Sequence, residues 1–117
     1  MFGRKRKSAE VHTKSSIRFV CEQDGAPERL LKQAVVEELA SASDTKRAYL
    51  ARVEYGDPSA YEVALCLAGR TNEKLVSRIG LRFAEIFGRD AHLDILFLTD
   101  EREAELKRVC APFHNVV

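Results

Sequence analysis

The sequence predicts an α+β fold with the element order (β)αββαβα, in which amphipathic helices pack on a small, mainly antiparallel sheet as a two-layer sandwich. Two long segments place apolar residues at helical spacing, and three other segments alternate or run apolar as strands do. The chain has 117 residues, 45% of them hydrophobic, which fits one domain large enough to bury a core.

The first sixteen residues contain no hydrophobic period. We expect residues 1–16 to form a basic flexible tail, followed by a single domain over residues 17–117. Residues 1–18 hold six basic residues and one acidic residue, a sum of +5, whereas the whole chain carries +1. Nucleic acid is a conceivable partner through residues 4–18, by Coulomb attraction, but a solubilising terminus is the simpler interpretation. No uncharged run approaches the length of a membrane span, so we expect no membrane contact and a cytoplasmic protein.

The first half of the domain contains three predicted strands and one helix. Alternation at Ile17, Phe19 and Cys21 predicts a short edge strand. A helix over about residues 27–42 follows, with Pro27 in its first turn. Two strands, at residues 47–55 and 61–68, flank the turn residues 56–59 and predict an antiparallel hairpin.

The second half adds a helix, a strand and a last helix. Asn72 is the predicted N-cap of a helix that continues to residue 87 and stops at Gly88. The strand at residues 92–98 contains a continuous apolar stretch, which indicates burial on both faces. A helix over about residues 101–110, capped by Thr99 or Asp100, ends before Pro112, and Phe113 is placed to fold back onto the core.

Strand alternation assigns two faces to the sheet. The face expected to meet the long helices carries Tyr49, Ala51, Val53, Val63, Leu65, Leu67, Leu93, Ile95 and Phe97. The second face is small but also apolar, with Ala48, Leu50, Ala64, Cys66, Ala68, Leu96 and Leu98. Leaving ~200 Å² of such a face wet would forfeit roughly 5 kcal/mol, so we expect a cover. The simplest cover is the C-terminal helix with Phe113; a second subunit or protein partner and a ligand pocket are the alternatives.

Few residues are spaced for catalysis. The three cysteines have no CxxC spacing, so neither a disulfide framework nor a zinc site is predicted, and we expect all three to be buried thiols. His92 and Asp94 share a strand face, where a surface hydrogen-bonding pair is expected and metal ligation or an acid–base dyad is the alternative. We predict no catalytic residue, no metal and no cofactor. A small thiol-dependent enzyme or sulfur carrier that uses Cys66, Cys110 or His114 stays open as the alternative.

Three stretches of the chain read KRAYLARVEYGDPSAYEVALCLAG, LDILFLTD and VCAPFHN. Together they resemble the C-terminal domain of the SseB family, the bacterial enhanced serine sensitivity proteins. The resemblance covers about Pro27 to Asn115, and its matching positions are Ala48, Tyr49, Leu50, Ala51, Leu93, Asp94, Ile95, Pro112 and Phe113. It differs in two respects: full-length members carry an additional N-terminal domain where the basic tail stands here, and His114 replaces the usual tyrosine. The resemblance implies no established catalytic residue and no cofactor, and a role linked to serine sensitivity.

The predicted function is therefore a non-enzymatic protein-interaction module that forms a homodimer or docks a protein partner. The predicted interaction surface consists of Tyr49, Leu50, Cys66, Leu81, Leu96, Pro112 and Phe113. Leu81 belongs to it because it lies about 200° around its helix from Ile79 at ~100° per residue. That position places it on the outer face of the helix, between Ser77 and Ala84.

Overall fold

The computed structural model of the chain describes residues 3–4, 9–11, 17–56 and 61–116. Its strands are β1 (Gly3–Arg4), β2 (Ala9–Val11), β3 (Arg18–Glu22), β4 (Thr45–Glu54), β5 (Tyr61–Gly69), β6 (Ala91–Leu98) and β7 (His114–Asn115). Its helices are α1 (Ala26–Leu39), α2 (Glu73–Phe87) and α3 (Asp100–Leu106).

The strands form one sheet in the order β1-β6-β5-β4-β3, with β2 also on β6 and β7 also on β4. Four pairings, β1–β6, β3–β4, β4–β5 and β4–β7, are antiparallel, whereas β2–β6 and β5–β6 are parallel. The parallel pair needs a crossover connection, which α2 supplies between β5 and β6. The predicted α+β fold with a mainly antiparallel sheet is confirmed.

The N-terminal interval contributes to this sheet. Residues 1–16, expected to be a tail, contain β1 and β2, both of which pair with β6. The other residues of that interval, and turn residues 57–60, lie outside the part of the chain that the structure describes.

Local hydrogen bonds set the ends of the helices. The Asn72 side chain accepts from the Leu75 N–H at 3.0 Å, and Gly88 ends α2 with a φ of +87°, as the sequence predicts. The predicted last helix is too long, because α3 ends at Leu106. Beyond it the N–H groups of Arg108 and Val109 donate to carbonyls three residues back, which tightens the chain into turns.

The face assignment of β4 was wrong. Tyr49 pairs with Cys66, and Leu50 pairs with Leu65, so each pair shares one face of the sheet. Leu50 therefore lies on the face covered by α1 and α2, and Tyr49 lies on the face covered by α3. Because β4 is buried on both sides, its apolar alternation does not decide which set faces which layer.

The sheet separates two apolar cores. The helix-side core contains Leu31, Val35, Leu39, Ala42, Ala48, Leu50, Val63, Leu65, Leu67, Leu75, Ile79, Phe83, Leu93 and Ile95. The α3-side core contains Phe19, Tyr49, Ala51, Val53, Ala64, Cys66, Leu96, Leu106 and Cys110. The last helix thus covers the second face, as expected. Phe113 does not join it: Phe113 packs on the helix-side core, and its N–H donates to the Ala48 carbonyl at 2.9 Å.

Candidate functional site

Buried polar side chains lie at both ends of the α3-side face. Arg47, Tyr49 and Glu103 form the Glu103 cluster, where α3 meets β4. Tyr55, His92 and Asp94 form the Asp94 cluster, where β4 ends and β6 begins. Titratable groups gathered in a buried setting are typical of functional sites, so these two clusters are the candidates for chemistry.

In the Glu103 cluster, one carboxylate accepts three hydrogen bonds. Arg47 donates from Nε to Oε2 at 2.5 Å and from Nη2 to Oε1 at 3.0 Å, and the Tyr49 hydroxyl donates to Oε2 at 2.5 Å. The guanidinium bonds lower the pKa of Glu103 to about 2 and raise the pKa of Arg47. Burial raises the pKa of Tyr49, so its phenol stays protonated. The cluster is a stable ionic clamp that holds α3 on the sheet.

In the Asp94 cluster, the carboxylate bridges two partners. The Tyr55 hydroxyl donates to Asp94 Oδ2 at 2.5 Å, and His92 Nε2 pairs with Asp94 Oδ1. His92 and Asp94 share a face, as predicted, but the expected surface pair is fully buried. The reason is the position of β6, which lies inside the sheet between β5 and the pairing strands β1 and β2. Burial also raises the pKa of Tyr55, which keeps it a hydrogen-bond donor.

An imidazole held by a carboxylate supplies two of the three members of a nucleophilic triad, and the missing member would be a thiol on the same face. Cys66 is fully buried, and burial raises the pKa of its thiol far above the ordinary value. The Cys66 thiol donates to the Ala64 carbonyl at 3.9 Å. Since the thiolate is the nucleophile, the arrangement holds Cys66 in its unreactive form.

The other two cysteines differ from each other. Cys110 is buried, its thiol donates to the Leu50 carbonyl at 3.5 Å, and burial raises its pKa to about 11. Cys21 is exposed, so the prediction of three buried thiols was wrong there. A bulge explains it: Phe19 pairs with Val53 but Cys21 pairs with Arg52, so the two side chains of β3 lie on opposite faces.

The predicted interaction surface is distributed over four places. Tyr49, Cys66 and Leu96 lie in the α3-side core, Leu50 lies in the helix-side core, Leu81 is 68% exposed on α2, and Pro112 and Phe113 are half-buried near the chain's end. Four of the seven residues are therefore interior packing residues, because α3 already covers the face on which three of them lie. Leu81 is the most exposed large apolar side chain in the described part of the chain.

Sequence reasoning missed Glu103. Glu103 stands in sequence among Asp100, Glu101 and Glu105 at a helix start, where the helix dipole alone is enough to explain a run of carboxylates. The signal was available in its spacing, because Glu103 precedes Leu106 by three residues and Cys110 by seven. That spacing places the carboxylate on the buried stripe of the helix, where an acid requires a partner.

Among the described residues, no group of three or more His, Cys, Asp or Glu side chains is placed to hold a metal ion. No helix in the described ranges is long and apolar enough to cross a membrane. Of the basic residues at positions 4–18, Arg18 is described with its side chain, and it pairs with Glu54 at 2.9 Å; the other basic side chains of that stretch lie outside the description.

Comparisons with known proteins add no assignment. No family model matches the chain, and neither does any curated protein or solved structure.

Proposed function

We propose that this chain is a non-enzymatic protein-interaction module of the SseB C-terminal type, and that it associates with a second copy of itself through the outer face of α2. The observation that carries the proposal is Leu81. This leucine is 68% exposed in a 15-residue helix. The inward face of that helix is already buried in the domain through Leu75, Ile79 and Phe83. Exposed Ser77 and half-buried Ala84 flank Leu81 one turn away on either side, so a small-residue strip surrounds one large apolar side chain.

The state of the titratable groups supports a binding role over a catalytic one. Glu103 is engaged by Arg47 and Tyr49, and the thiol of Cys66 is enclosed and protonated. A thiol-dependent enzyme or sulfur carrier needs an accessible thiolate, and neither Cys66 nor Cys110 supplies one.

The adjoining charges suit a specific contact. Arg78 and Arg82 of α2 are bound to Glu38 of α1 at 3.0 and 3.1 Å, which fixes the helix layer as one rigid surface around Leu81. A pre-organised surface loses less conformational entropy when it binds. A stable homodimer buries on the order of 1,000 Å² or more, so the contact must extend beyond Leu81 along the outer face of α2.

The test is the oligomeric state in analytical ultracentrifugation at micromolar concentrations. We expect the wild-type chain to dimerise and Leu81→Glu to weaken dimerisation at least ~10-fold, because a buried charge opposes association. Leu30→Glu is the matched control, since Leu30 is 55% exposed on the other helix. A wild-type chain that stays monomeric throughout the range, or a Leu81→Glu dimer of unchanged affinity, contradicts the proposal.

A further inference from the structure

The outer face of α2 carries opposite charges at its two ends. At about 100° per residue, Lys74 lies about 20° and Glu85 about 40° around the helix from Leu81, both on the same side of it. Lys74 stands about two turns before the leucine, and Glu85 stands about one turn after it. The face therefore begins with a cation, continues through a large apolar side chain and ends with an anion.

Both of these charges are available to a partner. Lys74 is exposed, and it pairs with none of the described acidic residues. The Glu85 side chain is 73% exposed, and its contact with Arg82 Nε is long, at 4.0 Å. Arg78, the other cation near the leucine, is already bound to Glu38 of α1 at 3.0 Å. The charges left to act between molecules are thus the lysine at one end of the face and the glutamate at the other.

Two copies of this face match their charges in one direction only. In a parallel pair in register, Lys74 would meet Lys74 of the other copy and Glu85 would meet Glu85, so like charges would face each other at both ends. In an antiparallel pair related by a twofold axis, Lys74 of each copy faces Glu85 of the other. Like charges brought together oppose association, whereas opposite charges fix orientation and register, so the antiparallel arrangement is favoured.

The register that pairs the charges also brings the leucines together. With Lys74 opposite Glu85, the twofold axis passes midway between these two positions. The two Leu81 side chains then lie on either side of the axis, about 4.5 Å apart along the helices at a rise of 1.5 Å per residue. Ser77 and Ala84 flank each leucine, and their small side chains let the two helices approach closely. One register therefore satisfies the charges and the apolar contact.

We infer that two copies of the chain pair α2 against α2 in antiparallel orientation, with Lys74 of each copy bound to Glu85 of the other. The inference rests on the proposed association through Leu81, and it adds the direction of the contact, its register and the residues that select the partner. The two ion pairs lie at the ends of the contact, where they contribute more to specificity than to affinity.

Charge reversal tests the orientation, in sedimentation at low ionic strength, where exposed charges are least screened. Each single reversal replaces two attractive contacts of the dimer by two repulsive ones, so Lys74→Glu and Glu85→Lys should each weaken self-association about 10-fold. The double variant Lys74→Glu/Glu85→Lys restores both attractions with exchanged signs, and its affinity should return to that of the wild type. In a parallel dimer the single reversals would leave the affinity unchanged, because each would exchange one pair of like charges for another.

Two further measurements serve as controls. Lys46→Glu reverses an exposed charge on β4, outside α2, and should leave self-association unchanged. An equimolar mixture of Lys74→Glu and Glu85→Lys should form a heterodimer of wild-type affinity, because both of its contacts join opposite charges. That recovery shows that the charges act between copies, and melting temperatures check that each variant is folded.

The outcomes separate this inference from the proposal on which it rests. If Leu81→Glu weakens the wild-type dimer but the single reversals associate as tightly as Lys46→Glu, the contact through Leu81 stands and the antiparallel register is wrong. A double variant that associates no more tightly than the single variants overturns the register as well. A wild-type chain that stays monomeric overturns both.

Discussion

Replacing Glu103 by glutamine tests the clamp that holds α3 on the sheet. The carboxylate is 6% exposed and accepts three hydrogen bonds, two of them from the Arg47 guanidinium. Glutamine has one acceptor oxygen and presents an NH₂ group to the other donor. The substitution therefore breaks the bidentate pairing and leaves the positive charge of Arg47 without its counterion.

The expected cost is large for a single amide substitution. Removing one partner of a largely buried ion pair costs about 3 kcal/mol or more. For a domain of this length, that corresponds to a fall in melting temperature of about 10 °C. The measurement is urea unfolding followed by circular dichroism, with the free energy of unfolding of wild type and Glu103→Gln compared at pH 7.

The pH dependence supplies an independent check with a definite sign. The pKa of Glu103 is about 2 in the folded chain, against an ordinary value of 4.5. The stabilisation is thus fully present above pH 4.5 and is lost as the pH falls from 4.5 toward 2. The stability difference between wild type and Glu103→Gln should shrink over that window.

Glu105→Gln is the matched control, because Glu105 lies on the same helix but is exposed, and its nearest arginine nitrogen is 3.7 Å away. Exposed pairs of this kind contribute at most about 1 kcal/mol. A Glu103→Gln variant as stable as Glu105→Gln at pH 7 would refute the reasoning, since the buried carboxylate would then contribute no more than an exposed one.

Two further predictions concern the backbone and the thiols. Gly69 has a φ of +152°, and a Cβ there would lie 2.0 Å from the Asp44 carbonyl oxygen, so Gly69→Ala should cost at least about 3 kcal/mol in urea unfolding. Gly56→Ala is its control, because Gly56 has a φ of +105° but nothing within 4 Å, and it should cost about 1 to 2 kcal/mol of backbone strain alone; equal costs would contradict the steric argument. A chromogenic disulfide reagent should label Cys21 rapidly in the folded chain, and a Cys21→Ser variant should react only as fast as the buried thiols open to solvent. Rapid labelling of that variant would count against the enclosed position of the other two cysteines.

The helices could be predicted because the sequence patterns that indicate them are local. The caps at Asn72 and Gly88 depend on side-chain chemistry and backbone conformation within one turn of a helix, so the sequence carries them directly. The helical spacing of apolar residues in α1 and α2 is equally local. The fold class then follows from the order of these elements.

The face of β4 was not predictable in the same way. Every residue between Ala48 and Ala51 is buried, so either parity satisfies the hydrophobic pattern. The observed parity brings the Tyr49 hydroxyl onto Glu103 of α3, a polar contact that joins residues 54 positions apart and that no local pattern in β4 announces. The burial of Asp94 also involves a remote partner, since Tyr55 lies 39 positions away.

The role of α3 follows from its size. A helix of seven residues is too short to be stable alone, and it turns only Leu106 and Glu103 fully inward. Leu106 is the one apolar side chain of α3 that is buried, and removing the partner of the Arg47 charge leaves that charge uncompensated, so Glu103→Gln should weaken the docking of α3. If it does, the Glu103 cluster also keeps α3 over Cys66. Glu103→Gln should then raise the rate at which Cys66 reacts with a thiol reagent, because α3 opens locally while the helix-side core stays folded. If the rate of the Cys66 reaction rises only by the factor that the loss in free energy of unfolding predicts, then α3 and the sheet unfold as one unit.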